Sequence, residues 1–225
     1  MARPLAVSRL IAGFFALGLM AANAHAALDC AAGQPEGIYQ VVALRNTSDV
    51  MSTLATVENY APAVQEVDFG GTSITWIDGD ACLQGWSLTE LEFAPVWAED
   101  PLLSDVMAGP AEGAADHRKL RGWQLSCGAR EMGSFAMVDA RLLVAASPSG
   151  AVNVVLEKPL DPEDASALNS ALAASGAATG TGGQVDAATR DALAHQAETL
   201  GAAYRFETTA IGLNLLEAVG VPCSE

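Results

Sequence analysis

The chain has 225 residues, 51% of them hydrophobic, and a net charge of −16 that comes from 27 acidic and 11 basic side chains. A protein this acidic repels nucleic acid and anionic lipid headgroups, so both are disfavoured as partners. The length allows one large domain or two small ones.

Residues 1–26 have the pattern of a secretory signal peptide. Arg3 and Arg9 form a short basic region, an apolar run follows, and Ala24 and Ala26 supply the small residues of a cleavage site. The apolar run is too short and wrongly flanked for a membrane span. We therefore expect the mature chain to begin at the next residue, to have no membrane span and to be periplasmic or secreted.

Four widely spaced cysteines form no Cys-x-x-Cys motif and no His/Cys cluster. In an exported chain an even number of such cysteines indicates structural disulfides rather than a metal site. Several pairings are open. We expect Cys82 to pair with Cys127 and Cys30 to pair with Cys223, and we expect no metal or cofactor.

Residues 27–158 carry mostly β-strand signals, which are short runs rich in β-branched and aromatic residues between Gly, Pro, Asn or Asp. A mostly antiparallel sheet or small barrel, stapled by a disulfide, is therefore expected. The predicted strands cover 37–44, 73–77, 81–93, 122–127, 134–145 and 151–157. Asp78-Gly79 predicts a type I′ hairpin turn, and Asp139 and Arg141 should share one face of their strand.

Other segments of this half are not predicted to be strands. The apolar spacing of Val50, Leu54 and Val57 indicates an amphipathic helix, and the glycines and prolines of 94–116 indicate a loop. The basic cluster 117–121 is typical of a solvated loop end. The tryptophans all lie in this half, and strand tryptophans more often pack in a core than bind sugars.

A paired-carboxylate hydrolase is the enzyme class that the residues leave open, through Asp78, Asp80, Glu90 and Glu92. Neighbouring acids are expected by chance in so acidic a chain. The sequence also has no Gly-x-Ser-x-Gly and no His-Glu-x-x-His motif. We therefore predict a protein that is not an enzyme and has no catalytic residues.

Residues 160–221 are rich in alanine and predict a small three-helix domain, which makes the fold class α+β. Asp161-Pro162 is a helix start with proline at the first helical position, and the helix should run to about residue 174. It should bury Leu168 and Leu172. A glycine-dense loop ends it.

Asp186 is predicted to cap the second helix, with Thr189 and Leu193 in its inward stripe. The third helix should begin near Thr208 and present Ile211, Leu215 and Val219 to the core.

The run Leu168-x-x-x-Leu172-x-x-x-Gly176, the glycine loop, and then Val185-Asp186-x-x-Thr189-x-x-Ala192-Leu193 together resemble the small three-helix peptidoglycan-binding domain of exported wall-associated proteins. The resemblance covers 165–219. It implies binding to peptidoglycan without catalysis, with Asp186, Thr189, Arg190 and Leu193 as the ligand-binding candidates. The chain departs from the family's usual Asp-Gly at 182–183 and from its Phe-Gln at 196–197.

We therefore expect an exported, non-catalytic cell-envelope protein, with peptidoglycan and an envelope protein as its candidate partners. An alternative starts from Asp80-Ala81-Cys82-Leu83-x-x-Trp86, which is similar to a run in small periplasmic metalloprotease-inhibitor barrels. In that alternative the protein is a periplasmic β-barrel inhibitor or small-ligand carrier, and its C-terminal domain is structural.

Overall fold

The computed structural model of the chain describes residues 28–29, 33–46, 60–92, 121–146, 152–177, 179–180, 182–199, 210–221 and 223–224. These residues form an antiparallel sheet of seven strands and three helices, so the predicted α+β class is confirmed. The predicted signal peptide, the predicted helix near residue 54 and the predicted loop 94–116 lie outside the described residues.

The strands, in chain order, are β1 (Leu28–Asp29), β2 (Ile38–Asn46), β3 (Glu66–Asp68), β4 (Ile74–Thr75), β5 (Ala81–Cys82), β6 (Trp86–Glu92), β7 (Arg121–Cys127), β8 (Arg130–Met137), β9 (Leu142–Ala146), β10 (Val152–Glu157) and β11 (Cys223–Ser224). The seven-stranded sheet has the order β3-β2-β10-β9-β8-β7-β6, and every neighbouring pair in it is antiparallel. A separate hairpin is formed by β4 and β5, and β1 pairs in parallel with β11.

The sheet is curled, because residues beside its two edges meet. Phe69 follows edge strand β3 and Trp86 begins edge strand β6, yet their ring centroids are 6.3 Å apart. In a flat sheet of this size the two edges would lie about 30 Å apart. One face of the curled sheet and the β4–β5 hairpin share a core that includes Tyr39, Trp76 and Phe135.

Trp76 and Trp123 are both buried in this core, as expected for strand tryptophans that pack rather than bind sugars. Trp76 packs so closely on β8 that a Cβ atom at Gly133 would lie 2.2 Å from its Nε1 atom. Glycine at 133 is thus required by space, since a side chain there would displace the indole.

The predicted disulfide between Cys82 and Cys127 is confirmed, with the two Cα atoms 5.6 Å apart. It fastens the β4–β5 hairpin to the end of β7. Cys30 lies outside the described residues, so its pairing with Cys223 stays a prediction. The pairing of β1 with β11 places the backbone of Leu28 beside that of Cys223.

The predicted strand over 134–145 is wrong, because the chain turns within it. Strand β8 ends at Met137 and β9 begins at Leu142. The Oδ1 atom of Asp139 accepts the N–H groups of Arg141 and Leu142, at 2.7 and 2.9 Å. An aspartate that bonds the backbone two residues later replaces strand hydrogen bonds with a turn.

The Asp78-Gly79 hairpin is present, but its turn is not type I′. Gly79 has φ of 90°, and no described residue other than glycine has positive φ. The N–H of Gly79 donates to the carbonyl of Trp76 at 2.9 Å, and that of Trp76 donates to Asp80 at 2.8 Å. The result is a three-residue loop with glycine at its last position.

The helices are α1 (Pro162–Ala174), α2 (Ala187–Thr199) and α3 (Leu213–Ala218). The carboxylate of Asp161 accepts the N–H groups of Glu163 and Asp164, both at 2.9 Å, as an N-cap should. The helix α3 begins at Leu213 because Gly212 before it is extended.

The three helices share an apolar cluster that is distinct from the core of the sheet. Its buried members are Leu168, Leu172, Ala192, Leu193, Ile211, Leu215, Leu216 and Val221. A smaller cluster joins Ala210 to the outer face of the sheet through Leu142, Val144 and Val155. Strand β10 is therefore buried along its whole length.

Candidate functional site

The predicted ligand-binding residues lie at the start of α2, beginning with Asp186. Its Oδ1 atom accepts the N–H of Thr189 at 2.8 Å and lies 3.0 Å from the Thr189 hydroxyl. The bond from the Thr189 N–H, followed by the bond from the hydroxyl, lowers the pKa of Asp186. Asp186 is exposed and caps α2 as predicted, so a negative charge stands at the positive end of the helix dipole.

Thr189 is fully buried and connects two helices. Its hydroxyl lies 2.8 Å from the Oδ1 atom of Asn169 in α1. The Nδ2 atom of Asn169 donates to the carbonyls of Gly182 and Gln184, at 2.9 and 3.0 Å. One buried amide thus fixes α1, the loop before α2 and the first turn of α2 relative to one another. The sequence signal for the role of Asn169 is its position as a polar residue beside Leu168, which belongs to the apolar stripe of α1.

The glycines of this loop are required by close contacts and by backbone geometry. A Cβ atom at Gly183 would lie 2.5 Å from the carbonyl oxygen of Pro162, and one at Gly180 would lie 2.1 Å from Asp186 Oδ2. Gly182 has φ of 101°, which favours glycine. The loop therefore packs tightly on the first turn of α1 and over the carboxylate of Asp186.

Arg190 faces the sheet. Its Nη1 and Nη2 atoms donate to the two carboxylate oxygens of Glu157 at the end of β10, each at 3.1 Å. Glu157 is only 3% exposed, and its Oε2 atom also accepts the N–H of Ile211 at 2.9 Å. A bidentate, charge-assisted pair of this kind is geometrically specific. It joins α2, the segment before α3 and the sheet.

Arg141 extends this network beneath the helices. Its Nε atom donates to the carbonyl of Ile211 at 3.2 Å, and its Nη2 atom donates to the carbonyl of Lys158. Asp139 Oδ2 accepts the N–H of Leu213 at 2.9 Å. Burial lowers the pKa of Arg141 and raises the pKa of Asp139. The sequence predicts that both residues share one face of a strand; instead they bond to the backbone that leads into α3.

Leu193 is also fully buried, within the cluster shared by the helices. Of the four candidates, only Asp186 is exposed, and Arg190 keeps 31% of its side-chain surface. Direct contact with a ligand is therefore open to Asp186 and to the uncovered part of Arg190. Thr189 and Leu193 instead position the loop and the helix that carry Asp186 and Arg190.

Three of the four acids that a paired-carboxylate site would use have separate partners. Asp80 pairs with Arg130, and Glu90 lies 3.8 Å from Arg121. Asp78 accepts the N–H of Asp80 at 3.0 Å. The described residues include no group of three or more His, Cys, Asp or Glu side chains placed to hold a metal ion.

The run on which the inhibitor alternative depends lies at the end of the β4–β5 hairpin and the start of β6. Leu83 is 81% exposed there, beside the disulfide of Cys82. The carrier alternative gains no support from the inner face of the sheet, because Phe69, Trp76 and Ile77 are packed into it. The inhibitor alternative stays a prediction.

No helix within the described ranges is long and apolar enough to cross a bilayer. Comparison of the chain with known proteins finds no matching family model, no matching curated protein and no matching solved structure.

Proposed function

We propose that this is an exported, non-catalytic cell-envelope protein that binds peptidoglycan through a C-terminal three-helix domain, residues 160–221. The observation that carries the proposal is the bonding of Asn169, Thr189 and Asp186. It builds a rigid glycine loop at the start of α2, in the segment that resembles a peptidoglycan-binding domain. The disulfide between Cys82 and Cys127 fits an oxidising compartment outside the cytoplasm.

The ligand surface in this proposal is the exposed edge formed by Gln184, Asp186 and the uncovered part of Arg190. These groups offer an amide, a carboxylate and a guanidinium, which can pair with the amides, hydroxyls and carboxylates of a glycan-linked peptide. The edge is preorganised, because Asn169 and the close contacts of Gly180 and Gly183 fix the loop backbone without a ligand.

The test is sedimentation of the mature protein with purified sacculi at low and moderate salt. We expect the protein in the pellet, and we expect Asp186→Asn to release about half of it or more, because a lost charged hydrogen bond costs about 1.5–3 kcal/mol. The asparagine oxygen still caps α2, so the variant should keep its fold.

Asp191→Asn is the matched control, because Asp191 is an exposed acid on the same helix outside the proposed surface. It should sediment like the wild type. Wild-type protein that stays in the supernatant at both salt concentrations contradicts the proposal, and equal loss in both variants assigns the binding to net charge rather than to this site.

A further inference from the structure

The strand β6 is an open edge of the curled sheet. It has seven residues and pairs with β7 on one side, and no described strand pairs with its other side. The opposite edge strand, β3, has only three residues. An edge strand of this length presents a row of backbone donors and acceptors that can pair with another extended chain.

The backbone groups that point outward can be assigned from the register. The N–H of Gly128 donates to the carbonyl of Gly85, and the pairing of β6 with β7 continues without a register shift from there. In an antiparallel ladder, alternate residues bond to the neighbouring strand and the residues between them face away. Leu88 and Glu90 therefore direct their N–H and C=O groups to the open side.

The edge is held rigidly at its start. The disulfide of Cys82 and Cys127 spans β5 and β7, and the indole Nε1 of Trp86 donates to the carbonyl of Gly71 at 3.0 Å. Arg130 bonds to Asp80 and to the carbonyl of Ala81. The described strand also lacks proline and lysine, two of the common devices that block edge pairing.

Charge decides between the possible occupants. Glu90 is exposed on this strand, where it lies 3.8 Å from the exposed Arg121, and the whole chain carries a net charge of −16. A second copy of the chain would bring the same negative charge to the edge, whereas a basic segment would be attracted to it. We propose that β6 binds a basic, extended segment of a partner protein by strand addition through the backbone of Leu88 and Glu90.

The test uses the mature isotope-labelled protein and a short peptide of alternating lysine and valine as the probe. We expect the amide hydrogens of Leu88 and Glu90 to exchange freely in the protein alone and to slow roughly tenfold or more when the peptide is added, because opening must then break intermolecular hydrogen bonds. Two control peptides have the same length. One carries backbone N-methyl groups on alternate residues, and the other has glutamate in place of lysine; neither should slow the exchange.

Glu90→Lys should weaken binding of the lysine peptide by roughly tenfold, because it replaces attraction with repulsion at the edge. Glu217→Lys makes the same change in net charge on the exposed side of α3 and should leave the affinity within about twofold.

Three results would overturn the proposal. The first is protection of the Leu88 and Glu90 amides in the protein alone, which would show that the edge is already covered. The second is equal binding of the N-methylated peptide, which would show attraction without strand pairing. The third is concentration-dependent dimerisation that protects the same amides, which would make a second copy the occupant. None of these results depends on whether the protein binds peptidoglycan.

Discussion

Tyr39 shows how much a single buried hydroxyl can shape the pH response of this protein. Its side chain is 1% exposed, and its hydroxyl donates to the carbonyl of Ala140 at 3.0 Å. Burial, with a smaller contribution from the negative charge of Asp139, raises the pKa of Tyr39 from 10.0 to about 12. The folded state therefore favours the neutral phenol.

This shift predicts a loss of stability in alkali. The contribution of Tyr39 is fully present below pH 10 and is lost as the pH rises from 10 to about 12, because the unfolded chain then ionises while the folded one does not. We expect the loss to reach about 2 kcal/mol by pH 12. Urea unfolding at several pH values measures it.

Tyr39→Phe is the matched variant. It should be less stable than wild type by about 1 kcal/mol at pH 8, because it lacks the bond to Ala140. Over the alkaline range its free energy of unfolding should fall less steeply than that of wild type, so the two curves converge. Parallel curves would show that the Tyr39 pKa is not raised in the folded state.

At the scale of elements, features with local causes were predictable. The bounds of α1 follow from Asp161-Pro162 at its start, and the cap of α2 follows from Asp186. The turn between β8 and β9 was missed because the alternating pattern of 134–145 continues through it. The side chain of Asp139, bonded to the backbone of Arg141 and Leu142, breaks the strand together with the backbone bond from the Val138 N–H to the Leu142 carbonyl.

The candidate site was also predictable where its structure has local causes in the sequence. The positions of Thr189 and Leu193 follow from helical spacing, and both are buried as that spacing implied. The partner of Arg190 was not predictable, because Glu157 lies on another element and only the three-dimensional packing brings the two together. Sequence spacing carries no information about such a contact.

The pair of Arg190 and Glu157 gives a prediction at this scale. Arg190→Ala should lower the free energy of unfolding by about 2–3 kcal/mol, because it leaves the carboxylate of Glu157 buried without its bidentate partner; part of Arg190 is in water, which reduces the cost. Denaturant unfolding of Arg190→Ala, Glu157→Gln and the double variant should reveal a coupling of about 1 kcal/mol or more.

Arg130→Ala removes the same side chain from an exposed pair with Asp80 and is the control. Exposed ion pairs contribute about 0–1 kcal/mol, so this variant should be close to wild type. If Arg190→Ala costs no more than Arg130→Ala, the pair with Glu157 does not fasten the helices to the sheet.

At the scale of the whole molecule, the confirmed disulfide constrains the unfolded chain. Cys82 and Cys127 are 45 residues apart in sequence. Closing a loop of that length stabilises the folded state by about 4 kcal/mol in the chain-entropy model. The variant Cys82→Ala with Cys127→Ala should lose roughly that amount in guanidinium unfolding.

The denaturant dependence of the free energy of unfolding distinguishes loss of the cross-link from loss of packing around the two sulfur atoms. Without the cross-link the unfolded chain expands and exposes more surface, so the slope of free energy against denaturant should increase. An unchanged slope with a loss of only about 1 kcal/mol would assign the effect to the missing sulfur atoms rather than to the cross-link.

The order of the strands also has a consequence for how the chain acquires its fold. Strand β2 lies between β3 and β10, and it pairs Leu44 with Val154, a residue on the order of a hundred positions later. Until β10 is available, β2 has only the short β3 as a neighbour and the sheet remains in two parts. A chain threaded through a narrow channel from its N-terminus would keep β2 and β3 separate from the rest of the sheet until most of its length had passed.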